Sequence, residues 1–365
     1  MNFDLSDDAK TLQAAARKFL TARAGTAAAR RVMNEGASHD AALWAEVVEQ
    51  GWPAARVPEA YGGLGLGADE ACVLAEEIGR SLAPVPLMST LAVIEALLLA
   101  GSEAQQALWL PKLASGEAIG CIGWSEGDAK SPASMPATTF TAGRLMGAKL
   151  PVVDGLVATL AVVTVASADG PAMALVALDG ISRAAVETLD LVRPSARFTL
   201  DGVAAEPLGS AADWLKLSER LAVLAAWEAL GTADAAREMT IAYARDRVAF
   251  GQRIGRYQGV KHKLADMYIK AELARAHALH GCWAWEADAP ELALAAAAAR
   301  VASLEALRFT AEESVQLHGG IGFTWEHDCQ FYYRRNRLLA SLIGSRNHWS
   351  DRLVRALERR NTAAA

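Results

Sequence analysis

Apolar residues recur along this chain with two different periods, and the change of period divides it into three stretches. Near the N-terminus Leu12, Ala15, Ala16 and Leu20 fall on one helical stripe, and Ser6 ahead of two aspartates is a natural N-cap. Helical spacing returns over 70–81 and 90–100, after a loop with Pro53, Pro58 and the run Tyr61-Gly-Gly-Leu-Gly-Leu-Gly67. That loop lacks the Lys-Ser/Thr of a phosphate-binding loop and the strand of a dinucleotide fingerprint, so it reads as a plain turn. From about residue 117 the pattern shortens. Val157-Ala-Thr-Leu-Ala-Val-Val-Thr-Val and Ala172-Met-Ala-Leu-Val-Ala-Leu are β-branched or apolar runs bounded by Gly, Asp or Pro, as strands are. Long helical patterns then cover 211–246, 259–288 and 291–317, with a last one from about 344. The expected fold is α+β: an N-terminal helical domain over 1–116, a small central β domain over 117–206 and a helical bundle over 207–365.

Composition narrows the class. The 365 residues are 52% hydrophobic with a formal net charge of -6, and the mean hydropathy is +0.14 with a pI near 5.7. Such a chain suits a helical protein that buries surface in its core and again in an oligomer. Lys and Arg are dispersed, which argues against a nucleic-acid partner. The most apolar runs are broken by Glu95 and Arg300 and fall short of a membrane span. Cys72, Cys121, Cys282 and Cys329 form no CxxC; they read as reduced thiols of a cytoplasmic protein, with no zinc site. The first residues have neither the basic nor the apolar region of a signal peptide.

Two glycine-punctuated turns carry the candidate chemistry. In Arg247-Val-Ala-Phe-Gly-Gln-Arg-Ile-Gly-Arg-Tyr-Gln258, a guanidinium at a helix end can hold a phosphate in bidentate fashion and Phe250 can stack on a planar ring. Gln258 opens the next helix with an amide that donates and accepts. The same residues also describe a plain helical hairpin with an Arg reaching solvent. In Gln316-Leu-His-Gly-Gly-Ile-Gly-Phe-Thr-Trp-Glu326, Gly319 and Gly320 follow a helix, as in an ordinary C-cap.

Together, in this order and with intact helices between them, the two segments resemble the flavin-clamping turns of the acyl-CoA dehydrogenase family. The resemblance covers the whole chain, including the tail to Tyr332-Tyr-Arg-Arg335, and is nearest to the branch that handles steroid side chains and other bulky acyl-CoAs. It implies FAD held between the β domain and a C-terminal four-helix bundle, with the ADP end gripped by a second subunit. Arg247, Phe250, Gln258, Gln316, Gly319 and Gly320 would then bind a partner's FAD. The implied reaction is α,β-desaturation of an acyl-CoA thioester, with electrons passed to an electron-transfer flavoprotein or similar acceptor.

The chain departs from that family at its reactive centre. The usual basic glutamate lies in a Tyr-Glu-Gly-Thr segment; counting forward without gaps from Gly322-Phe323 reaches Leu342-Ile343-Gly344-Ser345, and isoleucine takes no proton. The alternative base position, early in the first bundle helix, counts back to Leu221-Ala222. Glu219 is two positions early, about 200° away on a helix. Glu228 shares a stripe with Leu221, Leu224 and Ala225, where burial would raise its pKa. It reads either as the base or as a buried glutamate paired with an arginine. The family's Lys-x-Trp-Ile-Thr segment appears as Lys149-Leu-Pro-Val-Val, and its Thr-Glu-Pro…Gly-Ser-Asp segment as Trp124-Ser-Glu-Gly-Asp-Ala-Lys-Ser-Pro132. A worn proximal site beside an intact distal grip is the pattern of the smaller subunit of a heteromeric enzyme. The other readings are a homo-oligomer active alone, a non-catalytic structural partner, and a flavin oxidase or monooxygenase on the same fold.

Overall fold

Helix α1 (Asp7–Arg23) starts where the Ser6 hydroxyl accepts the Ala9 amide, and it buries Ala9, Ala16 and Leu20. The computed structural model describes residues 4–127 and 131–363; residues 128–130, inside the 124–132 segment singled out above, lie outside the described residues. After α1 come α2 (Thr26–Glu35), α3 (Ala41–Glu49), α4 (Ala68–Ser81), α5 (Leu87–Ala100) and α6 (Glu103–Ala114). The glycine-rich loop before α4 is a turn whose amides are already used. Those of Leu64, Gly65 and Leu66 donate to the carbonyls of Ala54, Val57 and Ala55, so they do not face a phosphate.

Among the described residues eight strands follow: β1 (Gly120–Gly123), β2 (Thr139–Thr141), β3 (Arg144–Val153), β4 (Leu160–Ser167), β5 (Gly170–Ala177), β6 (Ser182–Val186), β7 (Ser195–Ala204) and β8 (Glu206–Gly209). They form two four-stranded sheets, ordered β1-β4-β5-β8 and β2-β3-β7-β6. On β4, Ala161, Val163 and Val165 face the second sheet, where they meet Leu145, Ala196 and Phe198. The alternate residues Leu160 and Val162 join the helical core. A strand buried on both faces needs a continuous apolar run, which β4 has.

The bundle consists of α7 (Ala211–Asp246), α8 (Gln258–Glu286), α9 (Leu292–His318) and α11 (Arg346–Ala363). A short hairpin of β9 (Val248–Ala249) and β10 (Gln252–Arg253) joins α7 to α8. Helix α10 (Cys329–Leu339) lies between α9 and α11 and was not expected from the apolar period. Its buried face mixes Phe331, Tyr332 and Leu339 with Arg335 and Asn336, so few apolar residues mark it.

The crossing of α4 over α7 fixes the N-terminal helices to the bundle. A Cβ on Gly79 would lie 2.0 Å from the Glu228 carbonyl, and one on Gly231 would lie 1.9 Å from the Glu76 carbonyl. Only glycine allows the two backbones to touch there.

Candidate functional site

The two predicted turns lie at one end of the bundle. Helices α7 and α9 both finish there, and the Tyr243 hydroxyl at the end of α7 donates to the His318 carbonyl at the end of α9 (3.3 Å). Lys263, in the second turn of α8, pairs with Glu313 of α9 at 2.5 Å.

In the hairpin, Arg247 is the C-cap of α7; its amide donates to the Tyr243 carbonyl and its own carbonyl accepts from the Ile254 amide. Its guanidinium is exposed and takes no partner among the described residues. Phe250 stands at the tip, 97% exposed. It adopts φ +51°, a left-handed conformation that costs a bulky residue strain. The Tyr257 hydroxyl sits against the carbonyls of Ala249 and Phe250 (3.0 and 3.2 Å), which holds the tip in that shape. Gln258 is exposed at the first position of α8.

In the second turn Gln316 is exposed on the last turn of α9, and Gly319 caps the helix at φ +65°. Chain neighbours apart, no heavy atom lies within 4 Å of where a Cβ on Gly320 would sit, so that side of the turn faces open space. Gln316 also borders a groove of about 420 Å³ lined by Phe323, Trp325 and Arg334. The Arg334 guanidinium lies 4.4 Å from the Trp325 ring centroid.

The residues that counting along the sequence set at reactive positions lie elsewhere, around one interior cleft. Pro151 and Val153 of β3, Leu221 and Glu228 of α7, Trp124 and Ile343 all line it, with Ser89 and Arg193 at its polar end. The cavity is about 70 Å³, well below the roughly 300 Å³ at the small end of ligand pockets. Two indoles fix the wall that carries Ile343: Trp124 Nε1 donates to the Leu342 carbonyl (2.9 Å) and Trp349 Nε1 to the Ile343 carbonyl (2.8 Å).

Glu228, fully buried, is not a lone carboxylate in this cleft. Its Oε1 accepts from Arg193 Nη1 and from Arg335 Nη1, both at 3.1 Å. Arg193 also donates to Asp154 Oδ2 (2.8 Å), which accepts the Ser89 hydroxyl, and Arg335 Nε donates to Asp190 Oδ2 (2.6 Å). Arg300 is buried beside them and donates to the Leu339 carbonyl. Burial opposes the charge on Arg193, but Asp154 and Glu228 outweigh it and hold the guanidinium above its ordinary range. Arg300 has less compensation, and burial pushes it down to about 10. Three guanidiniums and three carboxylates therefore neutralise one another inside the protein.

Glu219 does not line the cleft. It faces α11, paired with Arg352, where burial raises its carboxyl pKa against the pull of that guanidinium. Sequence reasoning missed Asp154, Asp190, Arg193 and Arg335. The one signal for them was Glu228 itself, since an acid on an apolar stripe requires cations.

Models of the N-terminal and C-terminal domains of acyl-CoA dehydrogenase match residues 6–117 and 217–357. The acyl-CoA dehydrogenase IpdE2 of Mycobacterium tuberculosis is 34% identical over 93% of this chain and 94% of its own length. Its Mycolicibacterium smegmatis namesake is 32% identical over 93% and 96%. Among solved structures, the Tcur3481-Tcur3483 steroid ACAD superposes with a TM-score of 0.90 at 30% identity, covering 98% of this chain and 99% of that one. The ChsE4-ChsE5 complex from Mycobacterium tuberculosis gives 0.89 at 25% identity, covering 98% and 99%. No helix among the described residues is long and apolar enough to cross a membrane. This chain belongs to the acyl-CoA dehydrogenase family, a family of FAD-dependent oxidoreductases.

Proposed function

We propose that this chain is one subunit of a heteromeric acyl-CoA dehydrogenase for bulky, steroid-like acyl-CoAs, and that it grips FAD seated in a partner's cleft. The observation that carries this reading is a contrast within one molecule. Arg247, Phe250, Gln316 and Gly320 are exposed and open at one end of the bundle. The chain's own cleft is a cavity of about 70 Å³ with Pro151, Val153 and Ile343 in its lining. The distal residues fit a pyrophosphate and an adenosine; the cleft does not fit an isoalloxazine. Relatives described as a steroid ACAD and as the ChsE4-ChsE5 complex support both the substrate class and the paired assembly.

FAD, when bound, accepts the β-hydride. The Arg247 guanidinium would neutralise the pyrophosphate, with Gln316 and the Gly320 amide supplying neutral hydrogen bonds. Phe250 would cover a ring face and exclude water, while Gln258 offers an amide at the N-terminus of α8. The partner would bring the carboxylate that removes the α-proton, because Ile343 has none and Glu228 is engaged by Arg193 and Arg335. Glu219, turned towards Arg352, would be structural.

The test is purification of the chain alone and co-expressed with a longer homologue that keeps the base. The complex should be yellow and reduce a dye on addition of a steroid acyl-CoA, and the chain alone should be colourless and inactive. Turnover by the chain alone would overturn the heteromer. Arg247→Ala in the complex should lower flavin content; unchanged flavin and turnover would leave only a scaffold role. An electron-transfer flavoprotein is the proposed physiological acceptor, and a cytoplasmic location is part of the same reading.

A further inference from the structure

The turn after α9 brings together three side chains that the flavin reading does not use. His318 ends α9, His327 lies in the following loop and Cys329 opens α10. Their candidate ligand atoms all lie within 4.8 Å of one another. They are nine and two residues apart in sequence, so no CxxC or HxxxH pattern announces them.

His318 is 3% exposed, and its Nε2 is buried without a hydrogen-bond partner among the described residues. Its other nitrogen, Nδ1, lies 2.7 Å from the Ser314 carbonyl. A carbonyl can only accept, so Nδ1 carries the proton and the unpartnered Nε2 presents a lone pair. A histidine that donates one ring N–H to a carbonyl while its other nitrogen points at neighbouring donors is the arrangement metal-binding imidazoles adopt. Tyr243 packs against the His318 ring at 4.3 Å between centroids and fixes its plane. The His327 ring lies 4.2 Å from that of His318. Its Nδ1 accepts the Cys329 amide at 3.2 Å, a long bond that a metal would displace. Cys329 is fully buried, and its thiol donates to the Gly322 carbonyl at 3.4 Å. Asp328, between the two, adds negative charge, partly offset by its ion pair with Arg30.

We propose that His318, His327 and Cys329 bind one borderline-soft divalent metal ion of the zinc class, leaving a fourth position for water. Two imidazoles and a thiolate suit such an ion and not Mg2+ or Ca2+, which take oxygen ligands. Tetrahedral zinc with N and S ligands at about 2.0–2.3 Å sets the ligand atoms roughly 3.5 Å apart, so side-chain rotations that draw them together by about 1 Å complete the site. The thiol proton leaves to solvent on binding, with no change in oxidation state. Bound metal would tie the first residues of α10 to the end of α9, immediately before Gly319 and Gly320. The site does not depend on the flavin reading.

The test uses the full-length chain, reduced, treated with a chelator and titrated with Co2+. One equivalent should bind saturably, giving the visible bands of four-coordinate Co2+ and a thiolate charge-transfer band, both removed by added Zn2+. Cys329→Ser should abolish the charge-transfer band and weaken binding at least about tenfold, and His327→Gln should weaken it by a similar factor. The wild-type titration decides without either variant, because failure to bind a stoichiometric equivalent would overturn the proposal. An unchanged charge-transfer band in Cys329→Ser would overturn it equally, since the metal would then sit elsewhere.

Discussion

Replacing Glu228 with glutamine separates a counter-ion from a catalytic base. Glutamine keeps the shape of the side chain but removes the charge that faces Arg193 and Arg335, while Arg300 stays buried beside them. The cluster then holds three cations against two anions, and breaking one partner of a buried ion pair costs about 3–5 kcal/mol. Unfolding entropy of about 2.1 cal/mol/K per residue near 60 °C gives about 0.77 kcal/mol/K for 365 residues. The melting temperature should therefore fall by roughly 4–7 °C. If Glu228 is only a counter-ion, turnover per bound flavin in the assembled complex should stay within about twofold. Adding Arg300→Met to Glu228→Gln should restore at least about 1 kcal/mol, because Glu228 is the carboxylate that offsets the buried Arg300 charge and that cation then leaves with the anion. Thermal melts and steady-state turnover normalised to flavin read both quantities. An unchanged melting temperature with turnover reduced by about a hundredfold or more would refute the counter-ion argument and make Glu228 the base.

Gly231→Ala places a methyl group 1.9 Å from the Glu76 carbonyl and should destabilise the chain by about 3 kcal/mol or more in chemical denaturation. Gly320→Ala, with open space around it, should leave the melting temperature within about 1 °C while lowering flavin content. Phe250→Ser should also lower the flavin content of the complex, measured by absorbance of the purified protein, without altering stability. For Glu126, burial opposes the charge, but bonds from Lys149, Thr138 and the Ala137 amide prevail and hold the carboxyl at about 2. A lowered folded-state pKa contributes stability that is complete above the unfolded value near 4.5 and is lost as pH falls towards 2. Urea unfolding at pH 5 and pH 3 should show that loss, and Glu126→Gln should reduce the difference.

Much of the fold was readable because its largest elements bury simple faces. The bundle helices show as long Ala- and Leu-rich runs without proline and the doubly buried strand β4 as a continuous apolar run, while Arg247 and Phe250 lie at or just beyond the end of α7 and Gln316 on the last turn of α9, where exposure is expected. Helix α10 escaped because it is short and polar overall, with Arg334, Arg335, Asn336 and Arg337 in a row between its apolar ends. The ion cluster escaped for a different reason. Asp154, Asp190, Arg193, Glu228, Arg300 and Arg335 come from both layers of the molecule, and only the assembled fold gives them partners. Glu228 illustrates the limit. Its stripe announced burial, but one sequence stripe fits a proton acceptor and a counter-ion equally well.

Phe250 has a consequence for the life of the chain before assembly. A nearly naked aromatic on a strained hairpin, with Phe323 and Trp325 also largely uncovered, gives a newly made subunit an adhesive end. Such a molecule invites chaperones and proteases for as long as it stays unmated. If the chain pairs as proposed, balanced synthesis of the two chains would serve as quality control, with orphans cleared and matched pairs spared.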